Sequence, residues 1–274
     1  MEKDLKTLLY KHGVRLTKAY GQNFLTDTEL LQDIVKKAGI GADSTVLEIG
    51  PGAGALTREI AKVAKRVVAY EIDTRLKPIL SETTGEFDNV EIVYKDVMKE
   101  KISVLEEKLA KDYVMVANLP YYITTPIVMN FLENAKHIKS LVIMVQKEVA
   151  KRFSASPNTS DYGAITVGIN LRGSATTVLQ VPREKFTPPP NVDSAVVKID
   201  IQPNKFEGCD LNKVREVVKM AFMNRRKMLV NNVMNFYKKT RQQAEEILNS
   251  CQIDLTARGE SLSAEDFIRL SRAI

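Results

Sequence analysis

The 274-residue chain has no tryptophan, two cysteines and two histidines. So few thiols and imidazoles narrow the chemistry at once. Cys209 and Cys251 form no CxxC pair and no zinc spacing. They read as reduced thiols, because nothing in the sequence signals export. His12 and His137 have no partner ligands near them in sequence, so each reads as a surface or helix-end residue. Long apolar runs are missing too. No stretch approaches the ~20 residues that span a bilayer, and Met1-Glu2-Lys3-Asp4 does not open a signal peptide. A cytoplasmic protein with no membrane segment and no metal is expected.

Charge of one sign is not in large excess either. Forty basic residues face 34 acidic ones, a net charge of +6, which is only a weak pointer to an anionic partner. Clustering sharpens it. Arg225-Arg226-Lys227 and Lys238-Lys239-Thr240-Arg241 lie near the C-terminus, Lys147 and Lys151-Arg152 in mid-chain, and Lys3, Lys6, Lys11, Arg15 and Lys18 along the N-terminal arm. Arg225, Arg226, Lys227, Lys147 and Arg152 are the candidate nucleic-acid contacts, a solvated surface being the other reading of the same pattern.

A hydrophobic fraction of 44% supports a full core, so one large domain, or a large and a small one, is expected. The first two dozen residues read as a polar arm ending in Gly21-Gln22-Asn23-Phe24-Leu25. A helix follows, with Thr26 and Glu29 as a capping box, Leu30, Leu31, Ile34, Val35 and Ala38 on one face, and Gly39 and Gly41 at its end. Strand-like runs at 45–49, 66–70, 90–94, 113–117 and 140–146 then alternate with helix-like stretches around 56–63, 75–83, 103–109 and 126–133. Repeated βα units imply an α/β fold, a parallel sheet with helices on both faces and binding sites at the carboxyl ends of the strands. Two more β-rich runs, 175–181 and 194–201, flank a loop with three consecutive prolines, Pro188 to Pro190, which stiffen it. Beyond Pro203 and Asn204 the periodicity is wholly helical. The division expected is a catalytic domain over 1–203 and a helical domain over 204–274.

Glu48-Ile49-Gly50-Pro51-Gly52-Ala53-Gly54 closes the first of these strands and opens a helix. Glycines here, Gly50 and Gly52 among them, let a ligand approach the backbone. The same residues fit a relaxed dinucleotide fingerprint, and a plain βα turn as well. Glu71, at the end of the second strand, is placed to bind ribose hydroxyls. Asp96, at the end of the third, is placed to accept from an adenine amino group. Both NAD and S-adenosylmethionine suit that set.

Asn118-Leu119-Pro120-Tyr121-Tyr122 decides between them. Pro120 fixes its own φ and biases Leu119 toward an extended backbone. The strand 113–117 therefore ends by presenting an amide, backbone carbonyls and an aromatic ring. Asn118 and a nearby carbonyl can accept from an exocyclic amino group while Tyr121 stacks on its base. Hydride transfer needs no such set; methylation of an adenine amino group does. That nitrogen's lone pair is delocalised into the ring, so holding it about 3–3.5 Å from a methyl donor would supply much of the catalysis. Phe186, beside the prolines, is either the second stacking wall or a core aromatic.

The chain resembles the KsgA-type rRNA adenine N6,N6-dimethyltransferases, which have a class I S-adenosylmethionine-dependent fold. The resemblance rests on 21–25, 48–54, 118–122, Phe186-Thr187-Pro188-Pro189-Pro190-Asn191-Val192-Asp193-Ser194 and Phe222-Met223-Asn224-Arg225-Arg226-Lys227. It implies that Asn23, Leu25, Gly50, Glu71, Asp96 and Asn118 contact S-adenosylmethionine. It also implies that Asn118, Tyr121 and Phe186 handle the target base. The implied substrate is two adjacent adenosines in the 3′-terminal hairpin loop of 16S rRNA, within the small (30S) ribosomal subunit, each methylated twice. A role in subunit assembly and a monomeric state are implied too. Leu119, where DNA adenine methylases usually carry a second proline, is expected to leave room for an already methylated nitrogen. Two rivals are a macrolide-resistance methylase acting on large-subunit rRNA and a non-catalytic rRNA-binding assembly factor.

Overall fold

The computed structural model describes residues 2–14, 23–109, 112–202, 205 and 208–274. Gly21, Gln22, Arg15, Lys18 and the expected 203/204 boundary lie outside the described residues. Down the chain come α1 (Glu2–Lys11), β1 (Phe24–Leu25), α2 (Thr28–Ala38), β2 (Thr45–Ile49), α3 (Ala55–Ala61), β3 (Arg66–Glu71), α4 (Lys77–Thr84) and β4 (Val90–Tyr94). These are followed by α5 (Ile102–Leu109), β5 (Tyr113–Asn118), α6 (Tyr121–Asn134), β6 (Ile138–Gln146), α7 (Lys147–Phe153), α8 (Ala164–Asn170), β7 (Gly173–Val181), β8 (Phe186–Thr187) and β9 (Ser194–Ile201). Four helices end the chain: α9 (Leu211–Met223), α10 (Leu229–Tyr237), α11 (Arg241–Ser250) and α12 (Ala264–Ala273).

Contacts divide the chain into two compact units, residues 1–150 with 175–201, and residues 151–174 with 202–274. The second unit thus takes in a segment that a linear division at 203/204 assigns to the first. Its core gives the reason. Tyr162, Val167 and Leu171 pack with Val214, Val217, Leu229, Val233 and Phe267, and the Tyr162 hydroxyl donates to the Leu262 carbonyl at 2.7 Å.

Within the first unit a seven-stranded sheet has the order β4-β3-β2-β5-β6-β9-β7. The pairs β4–β3, β3–β2, β2–β5 and β5–β6 are parallel, and β9 returns antiparallel to β6. The sheet is therefore mixed. Val46, Val67, Val114, Val116 and Val142 share one core with Leu31, Ile34, Leu56 and Ile60 from α2 and α3. The alternate residues Leu47, Met115, Leu141 and Ile143 are equally buried, and α5 packs on β2 and α6 on β6. Both faces are covered, which is why the central strands read as continuous apolar runs.

Three local expectations need correction. The N-terminal arm is not merely polar: Leu5 and Leu9 bury one side of α1. The cap of α2 is Asp27, whose side chain accepts from the Leu30 N–H, rather than Thr26; aspartate one residue further on captures the first free amide. And α6 starts at Tyr121, so Pro126 sits inside the helix instead of opening it.

Candidate active site

Because β2, β3, β4 and β5 run parallel, their carboxyl ends share one edge of the sheet. The chain moves outward from β2 to β3 and β4, then returns to β5 on the other side of β2. The crevice at such a reversal is where α/β sheets bind ligands. A cavity of about 560 Å³ lies there. Asn23, Leu25, Gly50, Gly52, Glu71, Asp96, Asn118, Leu119, Pro120, Tyr121 and Phe186 all line it, so the candidate cofactor and base residues are brought together. Lys147, Arg152, Arg225, Arg226 and Lys227 do not line it.

The glycine loop is shaped by close approach. Gly50 has φ +75°, and a Cβ there would sit 3.1 Å from Leu119 Cδ2, so the loop and the end of β5 touch only because glycine leaves room. Gly52, at φ +59°, lies equally close to the Phe24 ring. Its N–H donates to Glu71 Oε2 at 3.1 Å, while the Asp73 N–H donates to Oε1 at 2.8 Å. Burial pushes the Glu71 carboxyl above its ordinary value, and these backbone donors pull it back. Asp96 caps the turn after it, accepting from the Met98 N–H at 3.0 Å through Oδ1. Asn118 is half-buried at the end of β5. Asn118 lines the cavity, and among the described residues its side-chain amide makes no hydrogen bond.

Tyr121 is fixed by a 2.8 Å hydrogen bond between its hydroxyl and Ser194 Oγ. Burial raises the pKa of this phenol, so it stays neutral. Tyr122, by contrast, is 71% exposed at the rim. Phe186 is only 3% exposed and packs in the core, as the second of its two readings expects, and it also lines the cavity. It is held by a two-residue antiparallel ladder in which Leu25 faces Phe186 and Phe24 faces Thr187. An ion pair between Lys185 and Asp27 flanks that ladder. Asn23-Phe24-Leu25 and the proline-rich loop are therefore one structural feature, and the Thr187–Pro188 peptide within it is cis.

Four apolar or acidic positions escaped the sequence reading. Glu48 lines the cavity from inside β2, fully buried, and its Oε2 has no hydrogen-bond partner among the described residues. Burial, with Glu71's like charge adding to it, pushes this carboxyl up to about 8. A single acid inside the apolar run Thr45-Val46-Leu47-Glu48-Ile49 was the available signal. Ile72, 56% exposed between Glu71 and Asp73, offers the cavity an apolar face, as does Met98 beyond Asp96. Leu8 of α1 lines it too.

A family model described as "Ribosomal RNA adenine dimethylase" matches residues 13–274. The chain belongs to the ribosomal RNA adenine dimethylase family. It is 43% identical over 287 residues to "Ribosomal RNA small subunit methyltransferase A" of Geobacillus thermodenitrificans, covering 100% of this chain and 98% of that one. The protein of the same name from Bacillus cytotoxicus is 45% identical, with 98% and 94% covered. Among solved structures, a dimethyladenosine transferase from Plasmodium falciparum superposes with a TM-score of 0.77 at 25% identity, covering 90% of this chain and 95% of that one. The 23S rRNA methyltransferase ErmE superposes with a TM-score of 0.70 at 30% identity, covering 92% and 99%. As a member of the dimethylase family the chain is an rRNA adenine dimethyltransferase.

Proposed function

We propose that the chain methylates the amino nitrogen of adenine in small-subunit rRNA, using S-adenosylmethionine. The substrate is the pair of adjacent adenosines in the 3′-terminal hairpin loop of 16S rRNA, each taken to the dimethyl state within an immature 30S subunit in the cytoplasm, by a monomer. The observation that carries this reading is the Asn118 amide, without a hydrogen bond among the described residues, in one cavity with Glu71 and Asp96.

The cavity fits a nucleoside with a cationic tail. The carboxylates Glu71 and Asp96 line it beside Glu48, which keeps its proton until about pH 8, and the Gly52 N–H that a pyrophosphate would want already donates to Glu71. An anionic dinucleotide is disfavoured on both counts. Glu71 is placed to take ribose hydroxyls and Asp96 the amino group of the cofactor's adenine, with Ile72 and Met98 against its ring. Gly50 and Gly52 allow the ligand to lie on the backbone. The cofactor supplies an electrophilic methyl group on a sulfonium centre. Asn118 Oδ1 would accept from the target amino group and orient its lone pair, while Tyr121 and Phe186 would confine the base. No strong base is required, because the nitrogen's proton becomes acidic once the methyl is in place. Positioning and exclusion of water are what these residues contribute.

Unmethylated small subunits incubated with the chain and labelled S-adenosylmethionine should yield dimethyladenosine at two adjacent positions, read by mass spectrometry of nuclease fragments. Label appearing only in large subunits would favour the second reading, which the likeness to ErmE keeps in view. Asn118→Ala should still bind subunits and transfer no methyl; if unmodified subunits mature equally well with that variant, the assembly role is separate from catalysis.

A further inference from the structure

We propose that α1 is a wall of the cofactor site, in which Leu8 closes the cavity beside the glycine loop and a bound cofactor and the helix hold each other in place. This rests on the cofactor reading above and goes beyond it, because α1 precedes the residues matched by the family model, which start at 13.

Three observations carry it. Leu5 and Leu9, each 5% exposed, pack with Phe24, Ala53, Leu76, Ile79 and Leu80, so one side of α1 is core. Leu8 is only half-buried, and with Leu5 it lines the same cavity as Gly52 and Glu71. The packing runs on to the site: the Phe24 ring lies where a Cβ on Gly52 would come within 3.0 Å of it, and the Gly52 N–H is tied to Glu71. At the far end of the helix, Lys11 Nζ reaches both Glu82 oxygens at 2.8 Å, and His12 Nε2 reaches Oε2 at 2.7 Å. A ten-residue helix is marginal alone. Two core leucines and the Glu82 carboxylate on α4 are among its anchors, and Leu8 is left with apolar surface that a ligand in the cavity would cover. Any ligand that contacts only the docked helix stabilises the docked state, and docking raises its affinity by the same factor.

Calorimetric titration of the full chain with S-adenosylhomocysteine tests this. Leu8→Ala and Glu82→Gln should each weaken binding about three- to tenfold, the loss expected for roughly 1 kcal/mol. Tyr10→Ala, on the exposed side of the same helix, should leave it within twofold. Amide exchange in 3–11 of the unaltered chain should slow when S-adenosylhomocysteine is added. Unchanged affinity in both Leu8→Ala and Glu82→Gln, or α1 exchange indifferent to the ligand, would overturn the proposal. If the unaltered chain does not bind S-adenosylhomocysteine at all, the cofactor reading falls first and α1's role with it.

Discussion

Glu48 shows how much a single side chain can be asked to tolerate. Its carboxyl is fully buried, its Oε2 is unpaired among the described residues, and Glu71 is close enough to repel it. With an ordinary value of 4.5 raised to about 8, the folded chain keeps a proton that the unfolded chain loses between those limits. Stability therefore falls as pH rises from 4.5 to about 8, and is level above. Glu48→Gln should remove this dependence, gaining relative to the parent on the order of a few kcal/mol between pH 5 and pH 8. Denaturant unfolding at both values checks it, and parallel losses in parent and variant would refute it. The same proton is a reporter of ligand charge. A cationic amine entering the cavity should drive it off, so S-adenosylhomocysteine titrated at pH 7 in buffers of different ionisation enthalpy should release a fraction of a proton, and none from Glu48→Gln.

At the scale of elements, local pattern and tertiary assembly part company. The five parallel strands and the last four helices were legible, since each has an apolar period long enough to stand out from its surroundings. The Gly39 end of α2 was legible for a different reason: at φ +73° the position suits glycine. What was hidden is what depends on partners distant in sequence. The β1–β8 ladder is two residues long on each side, too short for any periodicity. α1 has only three leucines among lysines, and its burial exists because Phe24 and α4 are there to receive it. Arg225 is the clearest case. It sits in the basic run expected to touch RNA, yet its Nε pairs with Glu260 at 2.8 Å and its NH2 group donates to the Thr159 and Ser160 carbonyls. It thereby fastens the 151–174 segment to the end of α9. Arg225→Ala should cost about 1–2 kcal/mol, a loss of several degrees in the thermal midpoint of a unit this size. Arg226→Ala, on an exposed side chain outside every ion pair among the described residues, should leave the midpoint alone; equal midpoints for the two variants would return Arg225 to the RNA-facing group.

For the whole molecule, the cavity and the basic surfaces answer different needs. A cavity of about 560 Å³ has room to grip a cofactor and one extruded base, and such a grip is the same for any adenine that can be flipped out. Choice of substrate must then come from a larger, charged footprint, in which phosphate contacts fix position without reading sequence. Each unit taken by itself carries exposed candidates for such contacts, Lys147 in the first and Arg226 and Lys227 in the second. Subunit affinity should therefore fall steeply between 50 and 200 mM salt, as condensed counterions are released. Replacing Arg226 or Lys227 by alanine should lower the slope of log affinity against log salt by roughly 0.7–0.9 each, while leaving the affinity for S-adenosylhomocysteine as it was. Asn118→Ala should do the reverse, keeping the slope and abolishing transfer. A footprint carried by the cavity alone would give all three variants the parent's slope, and the separation of docking from chemistry would then be wrong.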